Sequence, residues 1–345
     1  KYVIACAKQI AKSSNSDKIV IEKSTLPVRT AEKIKEILYD EGKEGVNFEI
    51  LSNPEFLAEG TAIQDLYKSD RVLIGGDDTK TGQIAVKKLV EIYSKWIPAK
   101  KILSTNVWSS ELTKLASNAF LAQRISSING LSALCEKTGA DIDEVSEAIG
   151  MDSRIGKHFL KVSPGFGGSC FKKDILNLVY LCRHYGLEQV ADYWHGVIKI
   201  NDYQQKRITE IIKNYFIKYS LEKKISILGW AFKKNTNDSR ESASIYITYQ
   251  LLKLGFKVNI YDPMVPRKKI LKDINVLDQT RGELNENYLS NIEVYETLES
   301  IVSTCKIITI LTEWDEFLSI EKISSDYEIF DFRNILNKKL VKLRL

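Results

Sequence analysis

Residues 18–40, KIVIEKSTLPVRTAEKIKEILYD, read as a buried strand followed by a helix. Ile19, Val20 and Ile21 form a short β-branched run that ends in polar residues by Thr25. Pro27 then opens a helix to about Asp40, since proline suits the first helical turn. Further strands are expected at Phe48 to Ser52 and Val72 to Ile74, with a helix over Thr81 to Trp96. Strands alternating with helices predict a parallel sheet covered by helices.

From Trp108 the pattern turns helical for about a hundred residues, broken at Gly150 to Gly156 and at Ser163 to Ser169. A long helix is expected over Gln189 to Tyr219, where only Gly196 interrupts and no proline occurs. After Lys223 the alternation returns, with strands at Ile225 to Leu228, Val258 to Tyr261, Ile307 to Leu311 and Glu328 to Asp331. Ala243 to Leu254 reads as a helix, and Lys272 to Asn291 as an irregular polar surface excursion. The expected fold is α/β: two doubly wound Rossmann-like units joined by a central helical domain with a long connecting helix, the first unit incomplete at its N-terminus. Boundaries are expected at 1–106, 107–220 and 221–345.

Composition agrees with more than one domain, because 345 residues exceed what a single core usually serves. No apolar run approaches the ~20 residues that span a bilayer, and no secretory leader is legible. The net charge of +5 is scattered, which argues against nucleic acid while favouring an anionic ligand. Five cysteines, at 6, 135, 170, 182 and 305, form no CxxC pair, and three histidines form no cluster. Neither a disulfide framework nor a metal site is expected, and a reducing cytoplasm is the simplest compartment.

Three fragments carry chemistry. In Ser163-Pro-Gly-Phe-Gly-Gly-Ser-Cys-Phe-Lys-Lys-Asp174 a glycine run lets backbone approach a ligand, and Cys170 stands where a helix begins. The helix dipole, Lys172 and Lys173 would favour its thiolate, and Asp174 shares its helix face. A buried cysteine in a glycine-rich turn is the bland alternative, and on these residues alone the two stand about even. In Glu111-Leu-Thr-Lys-Leu-Ala-Ser-Asn118, Lys114 and Asn118 project from one helix face, a spacing that a solvated surface also produces. In Asn53-Pro-Glu-Phe-Leu-Ala-Glu-Gly60, Glu55 and Glu59 follow a strand end, where open α/β sheets bind ligands. Paired acids can act as base and orienting partner.

Together these fragments closely resemble the UDP-glucose/GDP-mannose dehydrogenase family, and in particular its animal-type UDP-glucose branch. The resembling stretches are EKSTLPVRTAE (22–32), LSNPEFLAEGTAIQDL (51–66), DRVLIGGDD (70–78) and WSSELTKLASNAFLAQRISSINGLSALCEKTGAD (108–141). GFGGSCFKKDILNLVYLC (165–182), ILGWAFKKNTNDSRES (227–242) and IYDPMVPR (260–267) continue the series in family order. The resemblance implies oxidation of the C6 alcohol of UDP-glucose to a carboxylate with two NAD, through a cysteine thiohemiacetal and thioester. By matched motif, Cys170 is the nucleophile, Lys114 and Asn118 stabilise oxyanions, and Asp174 orders a water. Glu55 is the base for thioester hydrolysis, and Thr25 positions the water. Ser24, Thr25, Leu26, Glu59, Cys170 and Arg240 are implied to contact NAD. Glu55, Phe56, Leu57, Ala58, Glu59, Lys114, Asn118, Arg154, Lys161, Phe166, Gly167, Phe232, Lys233 and Arg333 are implied to contact UDP-glucose. A homo-oligomer is also implied, dimeric through the central helices and possibly hexameric. A dehydrogenase of another nucleotide sugar (GDP-mannose or a UDP-N-acetylhexosamine) and a non-catalytic UDP-sugar-binding module remain the alternatives.

The family begins with a strand, a GxGxxG turn and a helix, and residues 1–345 contain no GxGxxG. The first residues, KYVIACAKQIAK, read as a helix well inside that domain, so about a hundred family residues are expected to be absent. This chain alone is therefore expected to bind NAD poorly and turn over little. Gly229-Trp-Ala-Phe-Lys233 reads as a strand-to-helix turn with one glycine, which suits UDP better than an NAD pyrophosphate.

Overall fold

A computed structural model describes residues 2–345. The chain divides into two compact units, Lys1–Ser117 and Asn118–Leu345, with the division inside one helix.

The first unit runs α1 (Tyr2–Ser13), β1 (Lys18–Glu22), α2 (Thr30–Glu41), β2 (Phe48–Ser52), α3 (Ala62–Tyr67), β3 (Val72–Gly75), α4 (Lys80–Tyr93) and β4 (Ile102–Thr105), then enters α5 (Val107–Thr138). The strands form one sheet in the order β1-β2-β3-β4. Ala7 and Ala11 of α1 pack with Ala31, Ile34, Ile37 and Leu38 of α2 and with Ile50. The second layer puts Ala85, Val86, Leu89 and Tyr93 of α4 against Leu51, Val72 and Ile74.

Two sequence expectations change here. The strand expected to be buried, β1, lies at the edge of the described sheet and leaves Ile21 38% exposed. The sheet is also mixed, because β3 runs antiparallel to β2 at Ser52 and Gly75. Between them only α3 forms, and it buries no residue, so nothing carries the chain back across the sheet for a parallel return. The β3–β4 connection contains the amphipathic α4, and that pair is parallel.

The second unit continues α5 and adds α6 (Ile142–Gly150), α7 (Phe171–His184) and α8 (Glu188–Lys218). An alternating region follows: β5 (Lys224–Leu228), α9 (Ala243–Lys253), β6 (Lys257–Tyr261), α10 (Arg267–Arg281), β7 (Ile292–Val294), α11 (Leu298–Val302), β8 (Ile307–Ile310), β9 (Glu328–Asp331) and β10 (Leu343–Arg344). Its sheet has the order β10-β9-β8-β5-β6-β7, parallel throughout. The order reverses between β5 and β8, the kind of place where a doubly wound sheet opens a ligand crevice. Within the second unit Ile208, Ile212 and Phe216 of α8 join the core of this sheet.

Lys272 to Arg281, expected as irregular surface, belongs to α10 instead. Only Ile270 and Ile274 of that helix are buried, so its apolar stripe is too thin to read from sequence. The turn after β5 also differs from expectation, because no helix follows until Ala243. Asp262 Oδ2 instead accepts the N–H groups of Trp230 at 2.6 Å and Ala231 at 2.9 Å. A carboxylate thus takes the donors that a dinucleotide fold would turn toward a pyrophosphate.

At the switch point Gly229 has φ +98°, and an added Cβ would lie 2.4 Å from Thr312 Cβ. Gly229→Ala combines strained backbone with overpacking and is expected to cost about 2 kcal/mol or more in urea unfolding. A loss below ~0.5 kcal/mol, within the range of an ordinary surface substitution, would contradict this account of the turn.

Candidate active site

In the first unit, the expected residues gather beyond the strand ends. Lys114 is only 5% exposed, yet its Nζ lies 3.3 Å from Glu55 Oε1 and 5.3 Å from the centre of the Phe56 ring. Arg71 stacks on the same ring at 3.9 Å and reaches Ser117 Oγ at 3.3 Å. Glu55 is fixed in turn, because its Oε2 accepts the Leu57 N–H at 2.7 Å. A buried lysine charge is tolerable here because a carboxylate meets it in a short, oriented pair. Ser24 is exposed, and Thr25 and Leu26 are half-buried, on the loop leaving β1. Glu59 and Ala58 are exposed, and Ala58 N–H is capped by Asp65 at 2.9 Å.

In the second unit the decisive element is the glycine-rich loop. Val162 to Gly168 are buried in succession although they form no regular structure, and Cys170 just beyond them is exposed. Buried backbone polar groups have to be paired, and side-chain amides on two helices do this. Asn129 Oδ1 of α5 accepts the Ser163 N–H at 2.9 Å, and Gln204 of α8 donates to the Ser163 carbonyl at 2.9 Å. Asn201 of α8 makes both bonds of Phe166, accepting its N–H at 2.8 Å and donating to its carbonyl at 3.2 Å. Gly168 N–H then donates to the Arg240 carbonyl at 2.8 Å, tying this loop to residues 230–242. A Cβ on Gly167 would meet Glu241 O at 2.6 Å and Phe232 Cβ at 2.8 Å, so this closeness requires glycine.

Cys170 is the N-cap of α7, and its carbonyl accepts the Asp174 N–H at 2.8 Å. Ser169 Oγ stands 3.6 Å from the Cys170 sulfur. Asp174 is 1% exposed, and Asn118 Nδ2 donates to its Oδ2 at 2.6 Å. Its Oδ1 has no hydrogen bond, and Lys173 Nζ stands 3.5 Å from it. Lys172, expected to act on the thiol, pairs with Glu241 at 2.8 Å and reaches Tyr246 OH at 3.4 Å. Both lysine charges are therefore matched by carboxylates, and Lys172 ties the start of α7 to Glu241. Burial pushes the Cys182 and Cys305 thiols up, which makes them poorer nucleophiles. Among the described residues no cluster of metal-ligating side chains occurs.

The remaining expected residues lie further out in this unit. Phe232 packs its ring edge 3.2 Å from where a Gly168 Cβ would be, beside half-buried Lys233. Arg240 forks onto Asp238 at 2.7–3.0 Å, and Arg333 pairs with Glu313. Arg154 is exposed and forks onto Asp152, and Lys161 is exposed. Sequence reasoning missed Asn129, Asn201 and Gln204, although Asn201 and Gln204 interrupt the buried stripe Val197, Ile198, Ile208 and Ile212 of α8. It also missed the buried pair Glu22 and Glu111 of the first unit. Asn201→Leu leaves two loop groups unpaired, each worth ~1–3 kcal/mol. It is expected to lower stability to urea and speed amide exchange at residues 163–168, and unchanged exchange would contradict this role.

Three models of one family match along the chain. They are its NAD binding domain over residues 1–97, its central domain over 108–203 and its UDP binding domain over 226–338. The chain is 51% identical over 348 residues to UDP-glucose 6-dehydrogenase of Pongo abelii, with 98% of this chain and 69% of the relative aligned. It is 52% identical to UDP-glucose 6-dehydrogenase of Drosophila melanogaster, covering 72% of that protein. A solved UDP-glucose dehydrogenase from the archaeon Pyrobaculum islandicum superposes with a TM-score of 0.81 at 29% identity, covering 100% of this chain and 74% of that one. At this identity over this length, the chain belongs to the UDP-glucose/GDP-mannose dehydrogenase family.

Proposed function

We propose that this chain carries the machinery of a UDP-glucose 6-dehydrogenase, oxidising the C6 alcohol of UDP-glucose to the carboxylate of UDP-glucuronate. The observation that carries the reading is an exposed cysteine at a helix start, delivered by a buried loop that Asn129, Asn201 and Gln204 hold rigid. Such a thiol is the nucleophile that a four-electron oxidation needs. A free aldehyde has no hydride-donating carbinol carbon with an oxyanion beside it, and a thiohemiacetal does.

In this reading Cys170 sulfur adds to the aldehyde carbon, and the thioester formed at the second oxidation is cut by water. Lys114 and Asn118 stabilise negative oxygen, and Asp174, with one oxygen held by Asn118, orders water through the other. Glu55 takes the proton of the hydrolytic water, and Thr25 positions it. Resting pairing of Glu55 with Lys114 keeps the base oriented until substrate enters. Two NAD molecules, bound in succession, would each take up one hydride. The fit is to the nicotinamide end: exposed Ser24, half-buried Thr25 and Leu26, and exposed Glu59 lie at strand ends of an open α/β sheet. Arg240 offers a cation to a phosphate from the loop after β5.

The UDP moiety is assigned to the crevice at the β5/β8 switch point, with Phe232, Lys233, Phe166 and Gly167 beside it and Arg333 beyond β9. Arg154 lies on an exposed segment suited to a substrate bound by a second copy, and exposed Lys161 opens the stretch 161–167 assigned to substrate contact. The central helices 107–220 are assigned to a dimer interface. Exposed Leu131, Leu134, Ile200 and Tyr203 on α5 and α8 support that pairing. Sedimentation at micromolar concentration is expected to give at least a dimer, and a monomer would contradict it.

Residues 1–345 lack GxGxxG, so on their own they are expected to bind UDP-glucose and form little NADH. With the glycine-rich βαβ segment of a relative fused ahead of residue 1, two NADH should form per UDP-glucose, and less from GDP-mannose or UDP-N-acetylmannosamine. Cys170→Ser in that fusion is expected to lower kcat at least a hundredfold. Full activity of that variant would exclude the covalent route.

A further inference from the structure

Two buried carboxyl groups take no part in the chemistry above. Glu22 ends β1 and is 8% exposed, and Glu111, on the second turn of α5, is 4% exposed. Glu111 is well served: its Oε2 accepts the Arg29 N–H at 2.6 Å and its Oε1 the Ala31 N–H at 2.8 Å. It thereby caps the start of α2, where helix dipole and orphan N–H groups favour negative charge. Glu22 has no comparable donors, and its Oε2 is buried without a partner. Its backbone cannot drift away, because its carbonyl accepts the Asn53 N–H at 2.8 Å.

The two carboxyl groups lie within interacting reach of each other. Two carboxylates buried together cannot both stay charged. Burial first, and then the Glu111 charge, push Glu22 up to about 8, so it keeps its proton at neutral pH. Burial raises Glu111 as well, against the lowering effect of its backbone N–H partners. Those two N–H donors, from Arg29 and Ala31, favour the charge on Glu111 and leave the proton on Glu22. The cations nearest in sequence are engaged. Arg29 forks onto Glu32 at 2.7 and 3.2 Å, Lys23 reaches Asn53 and Tyr93 at 2.9 and 3.0 Å, and Lys114 pairs with Glu55. From β2, the residue paired with Glu22 is uncharged Ser52.

We propose that Glu22 and Glu111 form a shared-proton clasp that closes the loop 23–30 and positions Thr25 within it. The Glu22 O–H donates to the Glu111 carboxylate, and Glu111 holds the far end of the loop through Arg29 and Ala31. One carboxyl pair thus ties together both ends of the segment bearing Ser24, Thr25 and Leu26. Loss of the proton sets two charges face to face and opens the clasp. The catalytic value of Thr25 rests on the function proposed above, whereas the clasp itself does not.

The folded chain holds the Glu22 proton up to about pH 8, and the unfolded chain releases it near the ordinary 4.5. Between those limits the folded state binds more protons, so stability from the clasp is full below about 4.5 and is lost as pH rises to about 8. Glu22→Gln keeps a donor for Glu111 and does not titrate. The melting-temperature difference between Glu22→Gln and wild type should therefore climb through this window and then level. Amide exchange in residues 23–31 of the wild-type chain, corrected for intrinsic rate, should rise about tenfold from pH 7 to 9. In Glu22→Gln it should stay flat, and in Glu22→Ala it should be fast at both. A pH-independent melting difference, or exchange rising equally in Glu22→Gln, would overturn the clasp. Neither measurement requires turnover, so a failed clasp leaves the dehydrogenase reading standing, and an inactive fusion leaves the clasp standing.

Discussion

Pairing of the backbone along a buried, irregular segment is the constraint on which the second unit's chemistry depends. Seven consecutive residues, Val162 to Gly168, are removed from water without belonging to a helix or strand. Each unpaired N–H or carbonyl there would cost ~1–3 kcal/mol. Asn129, Asn201 and Gln204 remove that cost from two helices that are rigid for their own reasons. Once Ser163 and Phe166 are fixed and Gly168 is bonded to Arg240, little freedom remains for Cys170. The thiol reaches the surface as the cap of α7, with Asp174 one turn on.

The same loop couples the cysteine to the segment that follows β5. Gly167 and Gly168 pass so near Phe232 and Glu241 that the loop leaving β5 and the cysteine loop behave as one packed layer. Lys172, bonded to Glu241, adds a charged tie between α7 and that layer. The β5 turn is free for this work because Asp262 satisfies the N–H groups of Trp230 and Ala231.

Much of this was legible in the sequence because it was periodic or locally punctuated. The long α8 followed from a stretch without proline in which only Gly196 intervenes, and the β5–α9–β6 region from apolar runs ending at Gly229 and Asp262. What remained hidden depended on partners distant in sequence. Strand direction at β3 depended on α3 failing to cross the sheet, and the exposure of Ile21 depended on β1 standing at its edge. Asn201 looked like an ordinary polar residue until its partner, 35 positions away, was seen to be a loop backbone. Lys172 carried the opposite lesson, since a charge beside a cysteine in sequence pairs with Glu241, 69 positions away.

The central claim is a covalent bond between the substrate carbon and Cys170. The direct test is to quench the glycine-rich fusion carrying Glu55→Gln during turnover with UDP-glucose and NAD, then map its peptides by mass spectrometry. Slowed hydrolysis should leave the UDP-glucuronyl group as a thioester on the peptide containing Cys170. Turnover with every cysteine unmodified, or with the group on a different cysteine, would contradict the account.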